Sequence, residues 1–141
     1  MKEMKISATV ENLNTVLDFV TAELEKSACP LKMQTSIGIA VEEVFVNIAN
    51  YAYKQVMPAV APHETGGVTV RIAVDGEVTI EFEDNGVPYN PLEKEDPDIS
   101  APARERNIGG LGIYMVKKIM DSVEYRHTDG KNILVIRKVI L

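Results

Sequence analysis

Glu43 and Asn47 stand four residues apart in a segment with helical periodicity, so their side chains share one face of the predicted helix. A carboxylate and an amide one helical turn apart can hold a water or a Mg²⁺ ion. Ile39 and Val46 flank this polar strip, which indicates that it faces a partly apolar cleft. A solvated polar face is the alternative interpretation of the same pattern.

Asp84 is an acid in phase with the apolar stripe of a predicted strand. Side chains alternate along a strand, so Asp84 follows the apolar residues of 78–82 onto the inward face. A carboxylate left unpaired there would cost on the order of several kcal/mol. Asn85-Gly86 then breaks the strand and lets the backbone approach a ligand, so the slot suits the exocyclic amino group of adenine. The alternative is a buried aspartate that caps its own turn.

Three glycines open a predicted helix further along the chain. They are Gly109, Gly110 and Gly112, with Leu111 and Ile113 as neighbours. Backbone N–H groups and the positive end of the helix dipole would face outward there and attract phosphate. Glycines also permit tight packing, which is the alternative. The string is neither a Walker loop nor a dinucleotide-binding fingerprint, because it lacks G-x-x-x-x-G-K-[ST] and the last glycine of G-x-G-x-x-G.

The elements that must position these groups follow from hydrophobic periodicity. The pattern predicts helices over 12–28, 31–53 and 110–120, and strands over 4–10, 68–74, 78–84, 122–128 and 132–139. Asp75-Gly76 and Asp129-Gly130 predict hairpin turns. Residues 91–108 carry three prolines and mixed charges and are interpreted as a loop. The predicted fold is of the α+β class, a two-layer sandwich of a mostly antiparallel sheet with helices on one face.

Composition narrows the class of protein. The chain has 141 residues and no break in composition, which predicts a single domain over 1–141. Its net charge of −6 argues against binding nucleic acid. Cys29 is the only cysteine, so the chain cannot form an internal disulfide. Together with the two histidines it provides fewer than the four ligands of a structural zinc site. Because apolar runs are short and no leader pattern is present, we expect no membrane segment and a cytoplasmic location.

In their order and spacing, the three groups resemble the GHKL ATPases, the superfamily of gyrase, heat-shock chaperone ATPases, mismatch-repair ATPases and histidine kinases. The resemblance lies in E-x-x-x-N at Glu43 and Asn47, D-x-G at Asp84 and Gly86, and G-G-L-G over 109–112. Within the superfamily, nearly the whole chain is most similar to the anti-sigma-factor serine/threonine kinases of bacterial stress and sporulation circuits.

The resemblance implies ATP and Mg²⁺ as cofactors and a role for each motif residue. It implies that Glu43 is the general base and that Asn47 is the Mg²⁺ ligand. It also implies that Asp84 binds the adenine amino group, with Gly86 giving the base room.

The phosphates would be cradled by Gly110, Gly112 and their neighbours beneath a lid formed by residues 91–108. Arg104 and Arg106 in this lid are candidates to meet the γ-phosphate, and an exposed charged loop is the alternative for both. Where the sporulation-type kinases often have a His-Gly pair after the first motif, this chain has Tyr51-Ala52, so that histidine's role is absent.

A chain of this length has no room for the transducer or phospho-accepting segments that most superfamily members need. The leading hypothesis is therefore a protein-serine/threonine kinase. The resemblance implies a small anti-sigma-factor antagonist of the STAS type as substrate, a sigma factor as another partner, and a homodimer. The alternatives are a nucleotide-gated protein-binding regulator with little or no kinase activity, a plain ATP hydrolase, and an α/β domain that binds no nucleotide.

Overall fold

The computed structural model describes residues 1–53, 66–93 and 108–140, with side chains in the last range from residue 112 onward. Its helices are α1 (Leu13–Lys26), α2 (Leu31–Tyr51) and α3 (Ile108–Ile119). Its strands are β1 (Lys2–Ser7), β2 (Gly67–Val74), β3 (Glu77–Asp84), β4 (Ser122–Thr128) and β5 (Lys131–Val139). Short 3-10 turns lie at Val10–Asn12 and Pro91–Glu93. None of these described helices is long and apolar enough to cross a membrane.

The five described strands form one antiparallel sheet in the order β1-β2-β3-β5-β4. Hairpins join β2 to β3 and β4 to β5 at the two predicted Asp-Gly pairs. In these turns Gly76, Asp129 and Gly130 have positive φ angles of 70°, 53° and 75°, a region that glycine and aspartate tolerate best. β1 is an edge strand and ends at Ser7, so the predicted continuation to residue 10 was wrong; Val10–Asn12 winds into a 3-10 turn instead.

The helices cover one face of the sheet, as the sequence predicted. The inward residues of β3, namely Val78, Ile80 and Phe82, are at most 1% exposed. They share one core with the apolar stripe of α2, whose buried members are Ile37, Ala40, Val41, Val44 and Phe45. Each large buried side chain contributes about 1.5–3 kcal/mol of transfer free energy. The core therefore fixes the rotation of α2 and directs its polar strip away from the sheet.

The opposite face of the sheet carries ion pairs. Arg71 on β2 lies between strands and contacts Glu3 at 2.7 Å and Glu83 at 3.3 Å. On the same face, nearer the β4 edge of the sheet, Arg137 contacts Glu124 at 2.9 Å. Along β3, outward polar residues alternate with inward apolar ones, which is typical of an antiparallel sheet with one solvated face. On β5, Ile133 and Val135 are apolar and buried on this same face.

Candidate functional site

Two adjoining cavities lie where α2 and α3 meet the end of the sheet. The first, of about 440 Å³, is lined by Val44, Asn47, Ile48, Ala52, Asp84, Tyr89, Pro91, Ile113, Tyr125, Asn132 and Leu134. The second, of about 570 Å³, is lined by Glu43, Val46, Asn47, Asn50, Tyr51, Gly112, Ile113 and Val116. Because Asn47 and Ile113 line both cavities, the two cavities adjoin, and together they are called the cleft.

Asp84 is buried at the end of β3 and lines the first cavity. Its Oδ1 accepts hydrogen bonds from the backbone N–H of Gly86 and from Nδ2 of Asn132, both at 2.9 Å. The first of these bonds is the self-capping turn that the sequence allowed as an alternative. None of the described residues donates a hydrogen bond to Oδ2, so this carboxylate oxygen has no protein donor in the described part of the chain.

Burial raises the pKa of the Asp84 carboxyl above its ordinary value, because the charged form loses solvation. The hydrogen bonds from Asn132 and Gly86 and the nearby His127 act in the opposite direction but do not cancel the effect of burial. An acid in this environment accepts a hydrogen bond strongly, because a donor in the cavity would replace the solvation that burial removed.

Asn132 is a site residue that the motif analysis missed. It is 6% exposed and lies opposite Asp84 in the register of β3 and β5. Its Nδ2 donates to Asp84 and to the carbonyl of Val87 at 2.8 Å, and its Oδ1 accepts from the hydroxyl of Tyr125. A usable signal existed, because Asn132 is in phase with the inward residues of β5 just as Asp84 is in phase with those of β3.

Gly86 makes a close contact with the protein itself. A Cβ atom at this position would lie 2.6 Å from the carbonyl carbon of Ala52, just past the end of α2. The neighbouring Val87 N–H donates to the carbonyl of Ala52 at 2.9 Å. The structure thus gives Gly86 a packing reason in addition to the predicted room for a purine.

Glu43 and Asn47 project from α2 into the second cavity, one turn apart. Glu43 lies directly against α3, because a Cβ atom on Gly112 would be 2.5 Å from Glu43 Oε2. No described residue forms a hydrogen bond or an ion pair with the Glu43 carboxylate. The Glu43 carboxylate therefore lies close to α3, and neither of its oxygens has a hydrogen-bond partner among the described residues.

The predicted glycine turn forms the beginning of α3. The helix starts at Ile108, two residues before the predicted start, so Gly109, Gly110 and Leu111 belong to its first turn. The first four N–H groups of an α-helix have no acceptor within the helix. Gly112 is the next residue, and because it has no side chain it leaves room for Glu43. Ile113 is buried and separates the two cavities.

Part of the predicted site lies outside the described residues. Arg104, Arg106 and the lid segment 94–107 are in that part of the chain. Of the predicted lid, Pro91–Glu93 forms a 3-10 turn, and Pro91 borders the first cavity. Among residues 1–53, 66–93 and 108–140 there is no group of three or more His, Cys, Asp or Glu that could hold a metal. Mg²⁺ needs no such group, because an amide such as that of Asn47 can share it with waters and phosphate oxygens.

Known proteins resemble this chain over most of its length. The family described as "Histidine kinase-like ATPase domain" matches residues 6–138. Proteins named "Serine-protein kinase RsbW" from Bacillus mycoides (strain KBAB4) and Bacillus anthracis (strain A0248) are each 25% identical over 142 aligned positions. Each alignment covers 97% of this chain and 84% of the relative.

Solved structures share the fold. The RsbU and RsbW domains of Rv1364c from Mycobacterium tuberculosis match 98% of this chain with a TM-score of 0.61 and 16% identity, and the match spans 32% of that longer chain. The SiaB–SiaC complex from Pseudomonas aeruginosa contains a chain that matches 99% of this one with a TM-score of 0.59 and 14% identity, over 90% of its own length. At these identities the likeness confirms the α+β fold.

Proposed function

Because this chain belongs to the histidine kinase-like ATPase domain family, we propose that it is an ATP-dependent protein-serine/threonine kinase of the anti-sigma-factor type. The observation that carries the proposal is the shared cleft. A buried acid with an available oxygen, Asp84, and an unpaired carboxylate, Glu43, border two cavities joined at Asn47 and Ile113. An elongated ligand with a purine at one end and phosphates at the other fits this arrangement.

In the proposed reaction the purine occupies the first cavity, and its exocyclic amino group donates to Oδ2 of Asp84. Gly109, Gly110 and Leu111 offer their N–H groups to the phosphates at the start of α3. Asn47 would hold Mg²⁺, which neutralises charge on the phosphates when bound.

Glu43 acts as the general base for the acceptor. It takes the proton of a serine or threonine hydroxyl on the partner protein. The hydroxyl oxygen then bonds to the γ-phosphorus, the bond from that phosphorus to the β,γ-bridging oxygen breaks, and ADP leaves.

The proposed acceptor is a small anti-sigma-factor antagonist of the STAS type. We further propose a sigma factor as an alternative partner, a homodimeric assembly and a cytoplasmic location. The relatives named as serine-protein kinases, whose alignments cover nearly the whole chain, support a serine acceptor. The class of the acceptor protein, the sigma factor, the homodimer and the location follow from the family resemblance.

The decisive experiment measures ATP binding and phosphate transfer to a purified STAS-type antagonist that is encoded in the same genome. We expect wild-type protein with ATP and Mg²⁺ to produce phosphoserine or phosphothreonine, detected by mass spectrometry. Glu43→Ala and the isosteric Glu43→Gln should keep ATP affinity and lose transfer by roughly 10²–10⁴-fold. Glu42→Gln is the matched control, because Glu42 is the adjacent acid and lines neither cavity.

Undiminished transfer by both Glu43 variants would remove this residue from the chemistry. ATP binding by the wild-type protein without any phosphorylated product, combined with antagonist capture that differs between ADP and ATP, would favour the nucleotide-gated regulator. Failure to bind ATP at all would refute both functions.

A further inference from the structure

The end of α2 is attached to the turn that follows Asp84. The carbonyl of Ala52 accepts from Val87 N–H at 2.9 Å, and Gly86 packs against the same residue with no room for a Cβ atom. Asn85 N–H donates to the hydroxyl of Tyr53 at 3.0 Å. Each of the three residues after Asp84 is thus in contact with Ala52 or Tyr53.

Tyr53 also ties this turn to the beginning of β2. Its hydroxyl donates to the carbonyl of Gly67 at 2.6 Å while it accepts from Asn85. A Cβ atom on Gly66 would collide with the Tyr53 ring, so the chain passes close to the ring. Burial raises the pKa of the Tyr53 phenol, which therefore remains a neutral donor at physiological pH.

The attached elements are the ones that carry the two ends of the cleft. Asp84 terminates β3 beside the turn, whereas Glu43 and Asn47 lie on α2, which ends at Tyr51, two residues before Tyr53. The core packs α2 against β3, and the contacts of the turn with Ala52 and Tyr53 add a second connection between Asp84 and the end of the helix.

We infer that Tyr53 is a positioning residue for nucleotide recognition, acting through its hydroxyl on the Asn85–Val87 turn to set Asp84 against α2. It does not line either cavity, so its effect on a ligand passes through Asp84. This inference rests on the proposed ATP binding and adds a residue that the motifs do not contain.

The test is Tyr53→Phe in the full chain, measured by calorimetric titration with ATP and with GTP in the presence of Mg²⁺. Removing the hydroxyl leaves Asn85 N–H and the Gly67 carbonyl without this partner and frees the turn. We expect ATP affinity to fall by roughly tenfold and the ratio of ATP to GTP affinity to shrink. Tyr114→Phe is the matched control, because the Tyr114 ring lies under Lys118 on α3 and borders neither cavity.

Introducing Tyr53→Phe into an Asp84→Asn variant distinguishes a positioning role of Tyr53 from a general loss of stability. In Asp84→Asn protein, Tyr53→Phe should cause no further loss of ATP affinity, because the group that it positions has already been altered. An equal loss in both backgrounds would mean a merely structural role and would overturn the inference, as would wild-type affinity in Tyr53→Phe. Absence of ATP binding by the wild-type chain would instead refute the proposed function.

Amide hydrogen exchange in the wild-type protein keeps the inference testable if Tyr53→Phe does not fold. We expect the Asn85 and Val87 amides to be protected without nucleotide and to become more protected when ATP is added. Exchange of the Asn85 amide at the rate of an unstructured peptide would overturn the inference.

Discussion

Asp84→Asn changes one atom at the candidate purine site and leaves the surrounding hydrogen bonds in place. The new amide oxygen can accept from Gly86 and Asn132 as Oδ1 of Asp84 does, each at 2.9 Å in the wild-type structure. The amide nitrogen then takes the position of Oδ2, which has no donor among the described residues. Flipping the amide would not help, since its nitrogen would then oppose two donors from the protein.

The expected loss of ATP affinity follows from the groups that the purine would contact in the variant. The purine amino group loses a charged acceptor and faces another donor, which costs about 2–3 kcal/mol. That free energy corresponds to roughly 30- to 150-fold in Kd.

The assay is calorimetric titration with ATP and Mg²⁺, accompanied by urea unfolding to show that the fold is intact. Glu81→Gln is the matched control, because Glu81 lies on the same strand and points to the opposite face, within 3.8 Å of Arg71. We expect its ATP affinity to stay within about twofold of wild type. An intact Asp84→Asn protein that binds ATP within about threefold of wild type would refute the reasoning for Asp84.

Two further predictions concern stability and the contact between helices. Burial raises the pKa of the Asp84 carboxyl in the folded protein. The contribution of this carboxyl to the free energy of unfolding is therefore fully present at a pH below its pKa in the unfolded chain, and it is lost as the pH rises through its pKa in the folded protein. Urea unfolding should therefore show Asp84→Asn gaining stability relative to wild type from about pH 4 to about pH 7; a constant difference would contradict this. Gly112→Ala places a methyl group 2.5 Å from Glu43 Oε2, so phosphotransfer should fall by roughly 10- to 100-fold. The ATP affinity and the urea unfolding midpoint of Gly112→Ala should be retained, since alanine favours helix. Unchanged phosphotransfer would show that the reaction does not depend on the exact position of the Glu43 carboxylate.

The sequence was sufficient to predict the secondary structure and the motif residues. The Asp-Gly turns, the alternation in β3 and the apolar stripe of α2 are local patterns, and each appears in the structure where it was predicted. Errors were confined to element ends, such as the end of β1, where the periodicity of a few residues cannot distinguish a strand from a 3-10 turn.

The candidate site was predicted in part. Glu43, Asn47, Asp84 and Ile113 border the joined cavities as expected. Asn132 was not among the predicted site residues, although it is in phase with the inward residues of β5, because its contact with Asp84 depends on the register of β3 and β5. Tight packing was the alternative interpretation for the glycines of 109–112, but the neighbours of Gly86 and Gly112 were not predicted, because a glycine in a sequence does not show which neighbour requires it to be small.

By itself, the sequence determined which elements form, in what order, and which polar residues interrupt their apolar faces, because periodicity and turn preferences depend on residues close together in the chain. Only the tertiary structure decided that Asn132 holds the carboxylate of Asp84, that Gly112 lies against Glu43, and that Tyr53 reaches the turn after β3. Those contacts join residues far apart in sequence. They exist because strand register and helix packing place backbones within a few ångströms of each other, and no local pattern encodes that distance.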